Sequence, residues 1–339
     1  DASASENGDG GTVVVWSDVT NPDSVTTTQG EILAKGGESG GDGGQIETSG
    51  AKLITDGLTG SAAARNIEAG GKAGEWLFDP YDVTISDSGA NVSSANYNGV
   101  SLSSDVLVGL LEGGTSVVVA TYSPGDELGE LTVESTITKS SGDADVTLTL
   151  RAANSIIISQ DIQNTGGSGV LNLVFDADNN SSATDSTPTR DGDGIVILEA
   201  NLLTAGGDVT FGSTVVNGYT GGNLYVGGGS TPVSVATGGG NVTINGQLLV
   251  ANSSAEGFTV NTAGGDIDLL GTVDSGNAFT GAGASDWFDA LAKAAAKPGD
   301  TWLATIGSSS ENALAVRAAG YADAWIGGRR KDNTNLWQW

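Results

Sequence analysis

Between residues 205 and 274 one pattern returns four times: a small residue, a glycine pair, Asp or Asn, then an alternating apolar run. "AGGDVTFGSTVV" begins at Ala205, "TGGNLYVGGG" at Thr220, "TGGGNVTINGQLLV" at Thr237 and "AGGDIDLLGTV" at Ala263. The pairs recur at a mean interval of about 19 residues, a period that points to a solenoid of stacked coils. In such a stack each coil pairs with the coils above and below, and the interior fills with ladders of apolar side chains. Val209, Phe211, Leu224, Val226, Val242, Ile244, Ile267 and Leu269 are the expected inward positions. The glycine pairs suit corners, where the chain needs positive φ and close backbone approach.

The rest of the chain fits this reading. Short β-branched runs, "TVVVW" (12–16), "SVVVATY" (116–122), "DVTLTL" (145–150), "SIIIS" (155–159) and "GIVIL" (194–198), are separated by Gly, Asn, Asp and Ser. That is strand and turn punctuation. The chain has 54 glycines in 339 residues, yet 38% of it is hydrophobic, too much for a solvated linker. The stretch 36–44, "GGESGGDGG", therefore reads as a coil corner, and "QIETSG" after it as a strand with Ile46 inward. At about 20 residues per coil, residues 8–280 would make about 14 coils and a rod of about 65–70 Å.

Composition excludes several functions. The net charge of −28 repels nucleic acid and anionic membranes. With no Cys and no His there is no disulfide, no thiol nucleophile, no Ser-His-Asp triad and no histidine-ligated zinc. No apolar run reaches the ~20 residues of a membrane helix, so the chain is not expected to span a membrane. The opening "DASASENGDG" is not a signal peptide and reads as a boundary within a longer protein.

The order of motifs adds a resemblance. "DGGTVVVWSD" (9–18), "GEILAKGGESGGDGGQIETSG" (30–50), "AGGKAGEWLFDPYDVTI" (69–85) and "LTLRAANSIIISQDI" (148–162) follow one another as in the filamentous haemagglutinin family of two-partner-secreted adhesins, which the chain resembles over roughly 8–280. The resemblance implies a right-handed parallel β-helix, adhesion, and export through an outer-membrane barrel partner to the surface of a Gram-negative bacterium. The family's secretion domain does not precede these motifs, so the resemblance implies a downstream portion that does not direct its own export.

A second resemblance starts at Ser285. Five of the seven Trp and six of the thirteen Lys plus Arg lie in residues 285–339. Residues 286–297 read as a helix ended by Pro298-Gly299, "TWLATI" as a strand, and Ser308-x-x-Glu311 as the capping box of a second helix closed by Gly320. With "AWIGG" (324–328) and "WQW" (337–339), this segment resembles the first half of a C-type-lectin-like domain. The family's calcium and sugar motifs come after that point, so no sugar-binding residue carries over. The expected division is a β-helix stalk at 1–284 and a small α+β partial lectin-like segment at 285–339.

Candidate chemistry is sparse. In "DADNNSSATDSTPTRDGDG" (176–194), Asp176, Asp178 and Asn180 have EF-hand spacing, but Ser181 replaces the glycine and Thr187 the final glutamate. A solvated loop is the simpler reading, and Asp191 and Asp193 beside Gly192 read as a turn. Asp79 and Asp82 flank Pro80-Tyr81, and Arg151 lies nearby in sequence as a candidate cation for a polysaccharide-active site; a turn before "DVTI" accounts for the aspartates. Trp16 and Trp76 are taken as core packing in preference to sugar platforms. "RRK" (329–331) is too short for a nucleic-acid site and reads as an exposed loop. The glycine pairs lack the following helix of a nucleotide fingerprint.

The chain is therefore expected to be all-β, non-enzymatic and without cofactor or metal. Its expected role is an extracellular adhesive stalk, with the secretion barrel, a surface carbohydrate or protein, and its own copies head to tail as candidate partners. The alternatives are a self-assembling filament subunit and a polysaccharide-active β-helix enzyme.

Overall fold

The computed structural model describes residues 1–19, 21–87, 100–122, 129–179, 194–213, 220–227, 232–250, 257–271, 273–275, 329–330 and 337–338. The chain divides into two compact units, Asp1–Ser275 and Gly276–Trp339. In the second, the described residues are the strands Arg329–Arg330 and Trp337–Gln338, paired antiparallel. The two arginines expected in a loop thus lie in a strand. The rest of the lectin-like expectation for 285–339 falls outside the described residues.

The first unit is an all-β parallel solenoid. Its first face is a nine-stranded sheet, all parallel. The strands are Thr12–Trp16, Gln45–Ser49, Glu75–Asp79, Ser116–Ala120, Val146–Arg151, Leu171–Asp176, Val209–Phe211, Val242–Ile244 and Ile267–Leu269. Each coil contributes one of them, so the described residues make nine coils stacked over about 38 Å at ~4.8 Å per step. A second face of eight strands and a third of five run beside it, and the first two coils supply a short parallel pair to each.

The coils are longer and fewer than the glycine-pair interval predicts. Val209 pairs with Val242 and Val242 with Ile267, so these coils hold 33 and 25 residues. The pairs at 206, 239 and 264 precede first-face strands, but the pair at 221 precedes Leu224–Val226 on the second face. Two kinds of corner share one local sequence, and counting them together shortens the apparent period by about a third.

Alternation along the strands sorts residues to the two sides of each sheet. In Val146–Arg151 the residues Val146, Leu148 and Leu150 are buried, with Thr147, Thr149 and Arg151 between them. Ile46, Val209, Phe211, Leu224, Val226, Val242 and Ile244 are buried as expected. Phe175 stacks on Phe211, its partner one coil on, with centroids 5.1 Å apart. Trp76 is fully buried, stacks on Phe78 and donates Nε1–H to Thr48 Oγ1 at 3.1 Å. Ile267 and Leu269 depart from expectation at 46% exposed. Among the described residues their strand is the last of its sheet and has a neighbouring strand on one side only.

The glycine corners carry two staples. Inside the third corner, Thr204, Thr237 and Thr262 are buried and donate their hydroxyls to the carbonyls of Gly207, Gly240 and Gly265. Asn164 and Lys139 continue this column: Asn164 Nδ2 and Lys139 Nζ both donate to Gly169 O, at 3.1 and 2.9 Å. Burial pulls the Lys139 pKa down, against the attraction of Glu112, Asp143 and Asp145. Outside, Asn172 accepts from Asp208 N, Asp208 from Asn241 N and Asn241 from Asp266 N, at 2.7–2.9 Å. The Asp or Asn after each pair thus ties its coil to a neighbour. Glycine is required at 240 because a Cβ there would lie 2.1 Å from Gly207 O. Gly36–Gly44 is such a corner, with Gly40 and Gly41 at φ +153° and +130° and Gln45–Ser49 as the strand that leaves it.

The third coil breaks the pattern with an unanticipated insertion. Val100–Ser103 adds a strand beside Val83–Ser86 on the second face. The helix Ser104–Glu112 then packs between Leu58–Ser61 and Ile137–Lys139, in place of a third-face strand. Ser103 caps it by accepting from Asp105 N, Gly113 ends it, and Leu107, Leu110 and Leu111 face the core. No helix among the described residues is long and apolar enough to cross a membrane.

Candidate functional site

Two places on the outer side of the first face gather polar side chains. The first lies where the strands end. Ser49 pairs with Asp79, Ala120 with Arg151, and Arg151 with Asp176. All of these stand at outward positions of their strands, so the alternation fixed by Trp76, Phe78, Leu148 and Leu150 inside places Asp79 and Arg151 on one side. Small Ala120 lies between them.

Asp79 is 3% exposed. Burial, reinforced by the negative charge of Glu47, raises its pKa from 3.8 to about 7, and Arg151 opposes that rise. Arg151 Nε lies 3.9 Å from Asp176 Oδ2. Asp176 Oδ2 also accepts from Asn179 Nδ2 at 2.8 Å, so this carboxylate is engaged within the protein. Asp82 is turned to a separate task and accepts from Glu130 N at 2.8 Å. Tyr81 is fully buried and meets Tyr122 edge to face.

The structure therefore brings Asp79 and Arg151 together and leaves Asp82 apart. It adds Glu47 and Asp176, which sequence reasoning did not connect with Asp79. The signal was available: aligning "QIETSG" with "EWLFDP" as successive coils puts Glu47 two residues before the partner of Asp79. Trp16 corrects another expectation. It points outward from the first strand and is 55% exposed, because Val13 and Val15 take the inward positions. Of the acidic loop at 176–194, Asp176, Asp178 and Asn179 are buried; Asn180, Ser181, Thr187, Asp191 and Asp193 lie outside the described residues.

The second place is a groove of about 400 Å³ across the beginnings of the strands of coils two to five. Gly43, Gly44 and Gly74 form one end of it, and Gln45, Glu75 and Ser116 stand in register across three coils. Lys72, Thr147 and Thr149 complete its polar lining. Ser116 Oγ accepts from Thr147 N at 3.1 Å, and Asp42 Oδ1 from Lys72 N at 2.8 Å. The side chains of Gln45, Lys72, Glu75, Thr147 and Thr149 make no hydrogen bond or ion pair with other described residues.

No protein-family model matches the chain, and comparison with curated proteins gives no match.

Proposed function

We propose that this chain is the stalk of an extracellular bacterial adhesin of the filamentous haemagglutinin kind, a right-handed β-helix carried to the cell surface through an outer-membrane barrel. The observation that carries the reading is the parallel solenoid, together with where the resembling motifs fall on it. "DGGTVVVWSD" supplies the first-face strand of coil one, "GGQIETSG" that of coil two and "EWLFDPYDVTI" the first two faces of coil three, while "LTLRAANSIIISQDI" reaches all three faces of coil five. Parallel stacking turns added residues into length, and the corner staples resist slippage between coils, which suits a projecting rod.

The reading is non-catalytic. Among the described residues Asp79 is the carboxyl group best tuned for acid–base work at neutral pH, but at 3% exposure it offers a substrate no approach. Coating microspheres with the chain and counting their retention on bacterial and epithelial layers tests the proposal. Retention well above that of albumin-coated spheres is expected, and equal retention overturns it.

A filament subunit is the second reading, favoured by the exposed Ile267, Leu269 and Val273 on the last described strands of the solenoid and Leu270 beside them. Sedimentation that shifts to ordered, growing species with concentration would replace the stalk by this reading.

A further inference from the structure

We propose that the groove on coils two to five binds a neutral oligosaccharide; the inference rests on the adhesive reading and gives it a ligand. The strands Gln45–Ser49, Glu75–Asp79, Ser116–Ala120 and Val146–Arg151 are consecutive in the sheet. The groove therefore advances by one polar side chain every ~4.8 Å over about 14 Å. That step is close to the length of one pyranose ring, so a linear glycan laid along the coil axis meets a new partner at each ring.

The lining has the right chemistry for hydroxyl groups, which both donate and accept. Glu75 accepts, Lys72 donates, and Gln45, Thr147 and Thr149 do both. None of these five side chains is engaged with another described residue, so their capacity is open to a ligand. Ser116 Oγ accepts from Thr147 N, which leaves its own hydroxyl proton to donate outward. Asp42 is fixed by Lys72 N and by its own N–H to Asp9 Oδ1.

Other ligand classes fit less well. A peptide adding as a strand needs a free sheet edge, and these strands lie inside a nine-stranded sheet. An amphipathic helix needs an apolar trough, and polar side chains line this one. A polyanion meets a chain of net charge −28. Trp16 and Val14 stand exposed on the same face one coil earlier, but towards the ends of the strands and off the line of the groove, which runs through the position of Thr12.

The test uses the full chain against immobilised linear glucan, galactan, mannan and xylan fragments, with uronate and sulfated glycans as the anionic arm. Saturable binding to a neutral glycan is expected. Glu75→Ala and Thr147→Val should each weaken it about tenfold, the loss of one good hydrogen bond. Thr210→Val, on the same face beyond the groove, should leave it unchanged, and circular dichroism should show all three variants folded as the parent. Binding to no glycan, to anionic glycans alone, or with equal affinity in the groove variants overturns the proposal. Microsphere retention on cells separates the two readings. If spheres are retained but the chain binds no neutral glycan, the groove assignment fails and the adhesive stalk stands; if the chain binds glycan but never retains spheres, the stalk reading fails and the site stands.

Discussion

Replacing Asp79 by asparagine tests whether the corner cluster is as buried and as acidic as its geometry implies. In the folded chain the Asp79 carboxyl holds its proton to about pH 7, against 3.8 ordinarily, mainly through burial, then through Glu47, with Arg151 in opposition. Between those values the folded state binds more protons than the unfolded state, so stability falls as pH rises. The slope is about 1.4 kcal/mol per pH unit, and the loss levels off near ~4 kcal/mol above pH 7. The amide that replaces the carboxyl does not titrate and keeps nearly the same shape. The variant should therefore gain on the parent by up to about 4 kcal/mol between pH 4 and pH 8. A fixed offset from the amide cancels in this comparison. Urea midpoints at half-unit pH steps, followed by far-ultraviolet circular dichroism, give the difference directly. Glu47→Gln removes one source of the upward shift and should flatten the parent's decline; Arg151→Gln removes the opposing charge and should extend the decline to higher pH. A stability difference between parent and Asp79→Asn that stays constant from pH 4 to pH 8 would refute the reasoning.

Three further outcomes follow from the solenoid. Ile244 is 1% exposed inside the stack, so Ile244→Asp should cost about 3 kcal/mol or more, read as a large drop in melting temperature. Ala205 sits at φ +51° where the next coil has Gly238 at +66°, so Ala205→Gly should raise stability by about 1 kcal/mol, measured by urea midpoint. Thr237→Val removes the donor to Gly240 O inside the third corner and should cost about 1–2 kcal/mol, with local loss of amide-exchange protection at residues 237–241.

The fold was legible because its strands keep an even alternation. Val209, Phe211, Val242 and Ile244 announce an inner face that needs no knowledge of coil length. Coil length was misread because a glycine pair marks close approach at a corner and not which corner. The pair before Leu224–Val226 and the pair before Val242–Ile244 meet the same local demand at different faces. The helix Ser104–Glu112 was legible in its Ser103 cap, its Leu107, Leu110 and Leu111 face and its Gly113-Gly114 end, but it is embedded in a Ser- and Asn-rich stretch that reads as loop. The candidate site was half legible. Asp79 and Arg151 stood out as charges beside apolar strands; their meeting depends on the register of three strands, which no local pattern carries.

Lys139 shows why inside and outside are harder to tell apart at corners than along strands. It follows the inward alternation of Ile137–Lys139 and is fully buried, a position that a sequence pattern assigns to an apolar residue. A corner directs carbonyls into the solenoid, so a donor is favoured there over a methyl group. Gly142 O and Gly169 O receive the ammonium of Lys139, and Gly169 O also receives the amide of Asn164. Threonine does the same work in later coils. Each donor ties its own corner, and Lys139, Asn164, Thr204 and Thr237 also reach the next coil, so loops of different length can enter between strands without disturbing the stack. Coils of 33 and 25 residues keep one register from Val209 through Val242 to Ile267 for this reason. The residues that remain free to vary are those pointing outward from the strands, and in the second to fifth coils these are the residues that line the groove.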